Sequence, residues 1–180
     1  MRIIGGRLKG RSITPPSGYS ARPTTDFARE GLFNILDNEY EFDGLSVLDL
    51  FGGTGAVSAE FASRGASNVY CVEMAPANAS FISSQMKKLG LSGTVKVVRH
   101  NVFDFIGICT LKFDIIFADP PYGLAGLQSI PEAVLSRGLL HPGGYFILEH
   151  PDTYCFKDSP CFVKERKYGN VHFSFFTTSE

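Results

Sequence analysis

The chain has 180 residues, of which 44% are hydrophobic and 19% are charged, a composition typical of one globular domain with an apolar core. It contains no apolar run of about 18 residues and no N-terminal stretch of signal-peptide type, so we expect no membrane span and a cytoplasmic protein. Its four cysteines form no CxxC pair and no metal-ligand spacing with the four histidines, which predicts neither a disulfide framework nor a metal site.

The basic residues are concentrated at the N-terminus. The formal net charge is −1, but residues 1–25 contain five cations and no acid, and the rest of the chain has 12 basic and 18 acidic residues. Such asymmetry is typical of a segment that binds a polyanion, with a solvated, flexible terminus as the alternative. We therefore predict a basic arm over residues 1–22, followed by a single domain over residues 23–180. The cations expected to bind nucleic acid are Arg2, Arg7, Lys9, Arg11 and Arg22.

An amphipathic helix is predicted directly after the arm. Pro23-Thr24-Thr25-Asp26 supplies a stop and N-cap chemistry, and apolar residues follow at helical spacing from Ala28 to Leu36. Further along, short runs rich in β-branched and aromatic residues alternate with three helical runs, of which the first two are followed by a glycine, Gly65 and Gly90. These helical runs are Gly55–Arg64, Ala75–Leu89 and Leu127–Ser136, and the predicted strands are Ser46–Leu50, Asn68–Val72, Val95–Arg99, Phe113–Ala118, Tyr145–Glu149, Cys161–Tyr168 and Val171–Thr177.

The order of these elements predicts an α/β fold. Alternating strands and helices form a doubly wound, mostly parallel sheet that is covered on both faces. The last two strand-like runs flank Gly169-Asn170, a two-residue turn typical of a β-hairpin. At least one antiparallel strand should therefore close the sheet.

A glycine-rich loop follows the first predicted strand. Asp49-Leu50-Phe51-Gly52-Gly53-Thr54-Gly55 leads straight into a helix, and its glycines let the backbone turn sharply and approach a ligand. Glu73 ends the second predicted strand, 18 residues after Gly55, which is the position of an acid that binds ribose hydroxyls. Because both positions lie at the carboxyl ends of parallel strands, they predict a site for a cofactor that contains adenosine.

The residues around the loop also bear on the identity of the cofactor. The dinucleotide fingerprint needs a third glycine or an alanine where Ser58 stands, and no Gly-Lys-Ser/Thr of a P-loop is present. Asp49 would repel a pyrophosphate, whereas it suits the cationic α-amino group of S-adenosylmethionine. We therefore predict S-adenosylmethionine as the cofactor, and a small nicotinamide-dependent dehydrogenase is a lesser alternative.

The fourth predicted strand runs into Asp119-Pro120-Pro121-Tyr122. An exocyclic amine on a base is a poor nucleophile because its lone pair is delocalised, and two acceptors aimed at its protons favour the tetrahedral nitrogen needed for attack. The Asp119 carboxylate and the Pro120 carbonyl can be these acceptors, since the two prolines stiffen the turn. Tyr122 offers a ring on which an unstacked base can lie. The tetrad thus predicts methyl transfer to a base amine, against the simpler reading of a strand that ends at Pro-Pro beside a surface tyrosine.

The motifs resemble those of a known family. Asp119–Tyr122 is similar to the tetrad of amino-methyltransferases, and Asp49–Gly55 is similar to their cofactor loop. Residues 2–11 (RIIGGRLKGR), with residues 22–26 (RPTTD), Arg29-Glu30 and residues 167–170 (KYGN), resemble the RsmD-type family of bacterial methyltransferases that act on guanine N2 in small-subunit ribosomal RNA. The resemblance covers nearly the whole chain. It implies a Rossmann-like class I methyltransferase fold with seven strands, the last of them antiparallel.

The resemblance also implies roles for individual residues. Asn101 stands where the family usually has an aspartate that contacts the adenine amine, and an asparagine carbonyl can still accept that bond. Met74 would cover one face of the adenine, and Phe27 replaces a usual arginine. The residues expected to bind the cofactor are Asp49, Phe51, Gly52, Gly53, Thr54, Gly55, Glu73, Met74, Asn101 and Val102, and those expected to act on the base are Asp119, Pro120, Pro121 and Tyr122.

The function expected from these residues is methylation of guanine N2 in small-subunit ribosomal RNA, either naked or within a subunit assembly intermediate. An adenine-N6 methyltransferase of DNA or RNA is a close alternative, because the tetrad chemistry is identical. A non-catalytic RNA-binding module that keeps a relic cofactor pocket is a second alternative, from a different functional class. Neither a metal nor a membrane partner is expected.

Overall fold

The computed structural model describes residues 1–19 and 24–178 of the chain. Within them, seven strands form one sheet in the order β3-β2-β1-β4-β5-β7-β6. Strands β1 to β5 are parallel, and β7 lies antiparallel between β5 and β6. The strands are β1 (Ser46–Leu50), β2 (Asn68–Val72), β3 (Val95–Val98), β4 (Phe113–Ala118), β5 (Leu140–His150), β6 (Phe162–Tyr168) and β7 (Val171–Phe176). The predicted mostly parallel seven-stranded sheet with an antiparallel closing strand is confirmed.

Helices cover both faces of the sheet. The helices are α1 (Asp26–Glu39), α2 (Ala56–Arg64), α3 (Pro76–Lys88), α4 (Val102–Ile108) and α5 (Ile130–Leu135), with 3₁₀ turns at Gly6–Leu8 and Leu127–Ser129. Helices α1, α2 and α3 pack on one apolar cluster, and α4 and α5 pack on another. Successive residues of a strand alternate between the two clusters, since Val47 belongs to the first and Leu48 to the second. This is the doubly wound arrangement that the alternation of elements predicts.

Strand order also determines where a ligand site forms. The chain winds outward from β1 to β2 and β3, and then returns to place β4 on the other side of β1. Ligands bind at such a switch point, outside the carboxyl ends of the strands. The loops after β1, β2, β4 and β5 therefore meet at one edge of the sheet, which we call the carboxyl edge.

Two local features differ from the sequence-based expectation. Helix α4 is absent from the prediction, because a helix of 7 residues carries little periodic signal. Strand β5 begins at Leu140, whereas the predicted strand begins at Tyr145. The structure accommodates this stretch with a register shift against β4 and a positive φ of 78° at Gly143. A Cβ on Gly144 would lie 2.7 Å from the Asp114 carbonyl oxygen, so only glycine permits this close pairing.

The first part of the predicted basic arm packs on the domain. Ile3 and Ile13 are fully buried in the cluster beneath α1 and α2, and an antiparallel bridge joins Arg2 to Ser12. A Cβ on Gly6 would clash with the Ser63 carbonyl oxygen of α2, because the two backbones approach so closely. The described part of the arm is thus bound to α2, and the boundary predicted at residue 22 stays a prediction.

A buried carboxylate on α2 binds this N-terminal segment. Glu60 is inaccessible to solvent, and its two oxygens accept hydrogen bonds from the backbone N–H groups of Ile4 at 2.8 Å and Gly5 at 2.7 Å. Arg64 donates a further hydrogen bond to it at 2.9 Å. Deleting the arm would leave this carboxylate without two of its donors, and such a loss is strongly destabilising. The charges of the arm are therefore better tested by substitution than by truncation.

Candidate active site

A cavity of about 450 Å³ opens at the carboxyl edge of the sheet. It brings together residues from the loops after β1, β2 and β4, from the carboxyl end of β5, from the starts of α3, α4 and β7, and from the stretch before α1. Ten of the residues predicted from the sequence line it: Phe51, Gly53, Glu73, Met74, Asn101, Val102, Asp119, Pro120, Pro121 and Tyr122. The other lining residues are not predicted from the sequence; they are Thr24, Thr25, Asn78, Phe103, Leu124, Glu149 and Val171.

The glycine-rich loop owes its shape to backbone conformations that few residues adopt. Gly53 and Gly55 have φ angles of 57° and 77°, and Phe51 has a φ of 65° although it is not glycine. Gly52 is needed for a different reason, because a Cβ there would lie 2.5 Å from the Cys71 sulfur. The left-handed Phe51 is held in a rarely populated conformation at the cavity wall, as is common at functional sites.

Glu73 connects the end of β2 to this loop. Its Oε2 accepts a hydrogen bond from the Gly53 N–H at 3.0 Å, and its Oε1 accepts one from the Ala75 N–H at 2.8 Å. The carboxylate is thereby fixed at the cavity wall, with further acceptor capacity on each oxygen. Tyr19 holds the same loop from the other side, because its hydroxyl donates to the Gly53 carbonyl at 2.5 Å. Burial, together with the nearby Glu73 carboxylate, raises the pKa of Tyr19 to about 12, so it remains a donor.

Asn101 and Met74 lie together on the same wall. Asn101 caps α4, since its Oδ1 accepts hydrogen bonds from the N–H groups of Phe103 at 2.9 Å and Asp104 at 3.3 Å. Its Nδ2 group lies 3.7 Å from the Met74 sulfur. The side-chain oxygen therefore serves the helix, and the NH₂ group is on the side of Met74. Met74 itself is 62% exposed, so its side chain is not buried in the core.

Asp49 lies beside the cavity and not in its wall. Its side chain is 1% exposed on the α2 face of the sheet, and the Ser58 hydroxyl donates to it at 2.5 Å. Burial raises the pKa of Asp49 to about 7, against the opposing effect of the Ser58 hydrogen bonds. A small hollow of about 30 Å³ touches Asp49, Gly52, Thr54 and Asp119. Gly55 lines neither space and acts as the N-cap position of α2.

The Asp119–Tyr122 tetrad is joined to a second carboxylate. The hydroxyl oxygen of Thr24 lies 2.7 Å from Glu149 Oε2 and 3.0 Å from Asp119 Oδ2. The Tyr122 hydroxyl donates to Glu149 Oε1 at 3.2 Å. Thr24 and Glu149 are both buried, and neither is predicted from the sequence to belong to the site. The one signal for Glu149 is its place at the end of the strand that pairs with β4.

The four predicted nucleic-acid-binding cations that the structure describes do not line the cavity. Arg2, Arg7, Lys9 and Arg11 are exposed on the N-terminal segment that packs against α2. Arg22 lies outside the described residues.

Metal ligands and membrane-spanning helices are both absent from the described parts of the chain. No group of three or more His, Cys, Asp or Glu side chains is placed there so as to hold a metal ion. None of the helices in residues 1–19 and 24–178 combines the length and the apolar character that crossing a membrane requires.

The sheet order and its antiparallel last strand define the Rossmann-like class I methyltransferase fold, and known proteins share it. A hypothetical protein of Thermus thermophilus is 29% identical, with a TM-score of 0.88 and 99% of both chains covered. A SAM-dependent methyltransferase from Thiobacillus denitrificans, solved with S-adenosyl-L-homocysteine, is 20% identical, with a TM-score of 0.58 and coverage of 75% of this chain and 52% of that one. The second likeness shows the fold alone.

Sequence comparison gives the family. The family model "Conserved hypothetical protein 95" matches residues 1–177, and the chain belongs to this family, the RsmD-type family that its motifs resemble. The ribosomal RNA small subunit methyltransferase D of Escherichia coli K12 is 35% identical over 78% of this chain and 69% of its own. The protein of the same name from Buchnera aphidicola is 29% identical over 98% of this chain and 91% of its own.

The raised pKa of Asp49 predicts a pH-dependent cost to stability. An unfolded aspartate has a pKa of about 3.9, so the folded chain retains an extra proton between about pH 4 and 7, and stability falls as the pH rises through that window. Asp49→Asn removes the charge and keeps an acceptor for Ser58. Its unfolding free energy relative to wild type should rise by roughly 2–4 kcal/mol between about pH 4.5 and 8.

Urea unfolding across this pH range measures the difference. Asp152→Asn, at an exposed position, is the matched control and should show no such trend. A difference between Asp49→Asn and wild type that does not vary with pH would show that Asp49 is ionised throughout.

Proposed function

We propose that this protein transfers a methyl group from S-adenosylmethionine to the exocyclic N2 amine of a guanine in small-subunit ribosomal RNA. The observation that carries the proposal is that the glycine-rich loop, Glu73 and the Asp119–Tyr122 tetrad share one cavity. Membership of the family and the names of its relatives support the same activity and the same RNA. Ribosomal RNA as substrate would also place the protein in the cytoplasm.

The residues on one side of the cavity fit the proposed cofactor. The fixed Glu73 carboxylate offers acceptors to ribose hydroxyls, and exposed Met74 offers an apolar face to an adenine. Asn101 Nδ2 and the backbone at Val102 would contact the adenine edge, with Asn101 acting as a donor because its oxygen caps α4. Asp49 would accept the α-ammonium group through the small hollow beside Gly52 and Thr54. When bound, S-adenosylmethionine supplies an electrophilic methyl group.

The cation would also resolve the unfavourable burial of Asp49. A carboxyl group with a pKa of about 7 is partly protonated near neutral pH, and a positive charge beside it favours the ionised form. Asp49 therefore gives the cofactor site a preference for a cationic ligand over a pyrophosphate. This counts against the nicotinamide-dependent dehydrogenase.

The other side of the cavity would hold the base and its amine. The Asp119 carboxylate and the Pro120 carbonyl accept from the two N2 protons, so the lone pair of the nitrogen is directed at the methyl group. Pro120 and Pro121 fix the turn that aims these acceptors. The Tyr122 ring provides a stacking face for the extruded base, and its hydroxyl, held by Glu149, fixes the orientation of the ring. Positioning of amine and methyl group supplies most of the rate enhancement.

Two alternatives make different predictions about products. An adenine-N6 methyltransferase would use the same tetrad and would label adenine, and the names of the relatives favour ribosomal RNA over DNA. A non-catalytic RNA-binding module would transfer no label, and the complete tetrad in the cavity wall speaks against it. Naked RNA and an assembling subunit are both forms in which the substrate can be supplied.

Asp119→Ala is expected to abolish methyl transfer and to leave cofactor affinity within about twofold of wild type, because its proposed partner is the substrate amine. Tyr122→Ala should lose stacking of about 1–3 kcal/mol, and Tyr122→Phe should retain much of the activity because it keeps the ring. The activity of each variant is measured by transfer of labelled methyl groups to ribosomal RNA. Cofactor affinity is measured by calorimetry with S-adenosylhomocysteine.

Glu73→Ala is the control, because it should weaken cofactor binding, which Asp119→Ala should leave unchanged. The expected loss of binding free energy is about 1.5–3 kcal/mol, the contribution of one hydrogen bond to a charged group. Near wild-type turnover of Asp119→Ala would refute the amine mechanism.

We further propose that the exposed cations of the N-terminal segment bind phosphates of the RNA. Arg7, Lys9 and Arg11 project from a segment that Glu60 and buried Ile3 hold against the domain, so they form a fixed basic surface. Fixed cations lose less conformational entropy on binding than a flexible tail does.

Replacing Arg7, Lys9 and Arg11 together by glutamine should weaken RNA binding and its salt dependence. Each lost phosphate contact reduces the slope of log affinity against log salt by roughly 0.7–0.9, so the slope should flatten by about two units. The matched control replaces Lys87, Lys88 and Lys112, three exposed lysines at the end of α3 and before β4. Equal slopes of log affinity against log salt for the two triple variants would show that these three cations do not bind the RNA.

A further inference from the structure

A second buried acid lies in the cavity wall beside the tetrad. Glu149 is the second-last residue of β5 and only 3% exposed, yet it forms part of the cavity wall. Ile147, two residues earlier in the strand, belongs to the apolar cluster beneath α1, α2 and α3, so strand alternation places Glu149 on that same face. Burying a carboxylate at this depth is costly unless groups that donate hydrogen bonds meet it there.

Two hydroxyls fix the position of this carboxylate relative to the tetrad. Thr24 contacts both Glu149 and Asp119, at 2.7 and 3.0 Å, so oxygens of the two acids lie on either side of one hydroxyl. Tyr122 contacts the other oxygen of Glu149 at 3.2 Å. The two carboxylates therefore face one end of the cavity as a pair, next to the ring on which the base is proposed to lie.

A pair of acceptors matches one purine and mismatches the other. The Watson–Crick edge of guanine presents the N1–H and N2–H₂ donors side by side. Adenine presents its N6–H₂ donor beside the unprotonated N1, which is an acceptor. A carboxylate that faces position 1 of the base would accept a hydrogen bond from guanine and would repel the lone pair of adenine.

We propose that Glu149 is the specificity-determining residue for guanine: it accepts the N1–H of the base while Asp119 accepts from the N2 amine. Thr24 is a positioning residue that sets the distance between the two carboxylates. This inference rests on the proposed function and extends it, because it assigns the choice of guanine over adenine to a residue outside the tetrad. The tetrad alone is compatible with either base.

The test exchanges hydrogen-bonding groups on both partners. The target guanosine of small-subunit ribosomal RNA, located by labelled methyl transfer with the wild-type protein, is replaced by 2-aminopurine riboside. This base keeps the amine at position 2 but has an unprotonated N1. Wild-type protein should prefer guanine by roughly 10- to 100-fold in kcat/KM, the effect of one hydrogen bond to a charged group.

Glu149→Gln should reduce this preference at least about tenfold. The amide can still accept from Tyr122 or Thr24, and it can present an NH₂ group to the N1 of 2-aminopurine, which the carboxylate cannot. A purely structural role for Glu149 would lower activity on both substrates equally and leave the ratio unchanged. Glu132→Gln, an exposed glutamate on α5, is the matched control and should keep the wild-type ratio.

The outcomes separate this inference from the proposed function. Guanine methylation by wild type, with the same preference ratio in Glu149→Gln, would overturn the role of Glu149 and leave the proposed function intact. Methylation of adenine, or of no base, by the wild-type protein would overturn both. A preference that falls in Glu149→Gln, with cofactor affinity by calorimetry unchanged, would establish the inference.

Discussion

The arrangement of the site depends on acids that the parallel sheet gathers and shields from water. Strands β1, β4 and β5 are neighbours and run in the same direction, so their carboxyl ends bring Asp49, Asp119 and Glu149 to one edge. Asp49 and Glu149 are almost completely buried, and an ionised carboxylate in such a place destabilises the fold unless donors or cations meet it. The hydroxyls of Ser58 and Thr24 are among the groups that do so.

The ligands that we propose are matched to these acids. A cationic amino acid group beside Asp49, and the donor edge of a base beside Asp119 and Glu149, would each interact favourably with a carboxylate that is shielded from water. Burial of these acids would then lower the stability of the free protein and strengthen its binding of the ligands. Active sites commonly trade stability for function in this way. The same electrostatic preference would disfavour the pyrophosphate of a nicotinamide cofactor at this loop.

The N-terminal segment contacts the domain at both α2 and the cavity. Glu60 holds its backbone on α2, and the same part of the chain includes Tyr19, which contacts Gly53, and Thr24, which contacts Asp119. One stretch of chain thus carries the proposed phosphate-binding cations and touches both halves of the cavity. The residues predicted to form a basic arm are therefore, over their described part, packed against the domain.

Sequence patterns predict those features of the fold and the site that depend on residues close together in the chain. The alternation of apolar residues indicates the strands, the glycines of residues 52–55 indicate the cofactor loop, and Asp119–Tyr122 indicates the expected catalytic turn. Glu149, Thr24 and the capping role of Asn101 escape prediction, because each depends on which residues the fold brings together. The fixed N-terminal segment escapes it for the same reason, since its partner Glu60 lies over 50 residues away.

Mass mapping of small-subunit ribosomal RNA tests the central claim most directly. RNA from cells that lack this protein is compared with RNA from the parent strain and from a strain in which the wild-type gene has been restored. We predict that one N2-methylguanine is absent in the first RNA and present in the other two. Identical RNA in all three strains, or the loss of a methyl group from an adenine, would contradict the account.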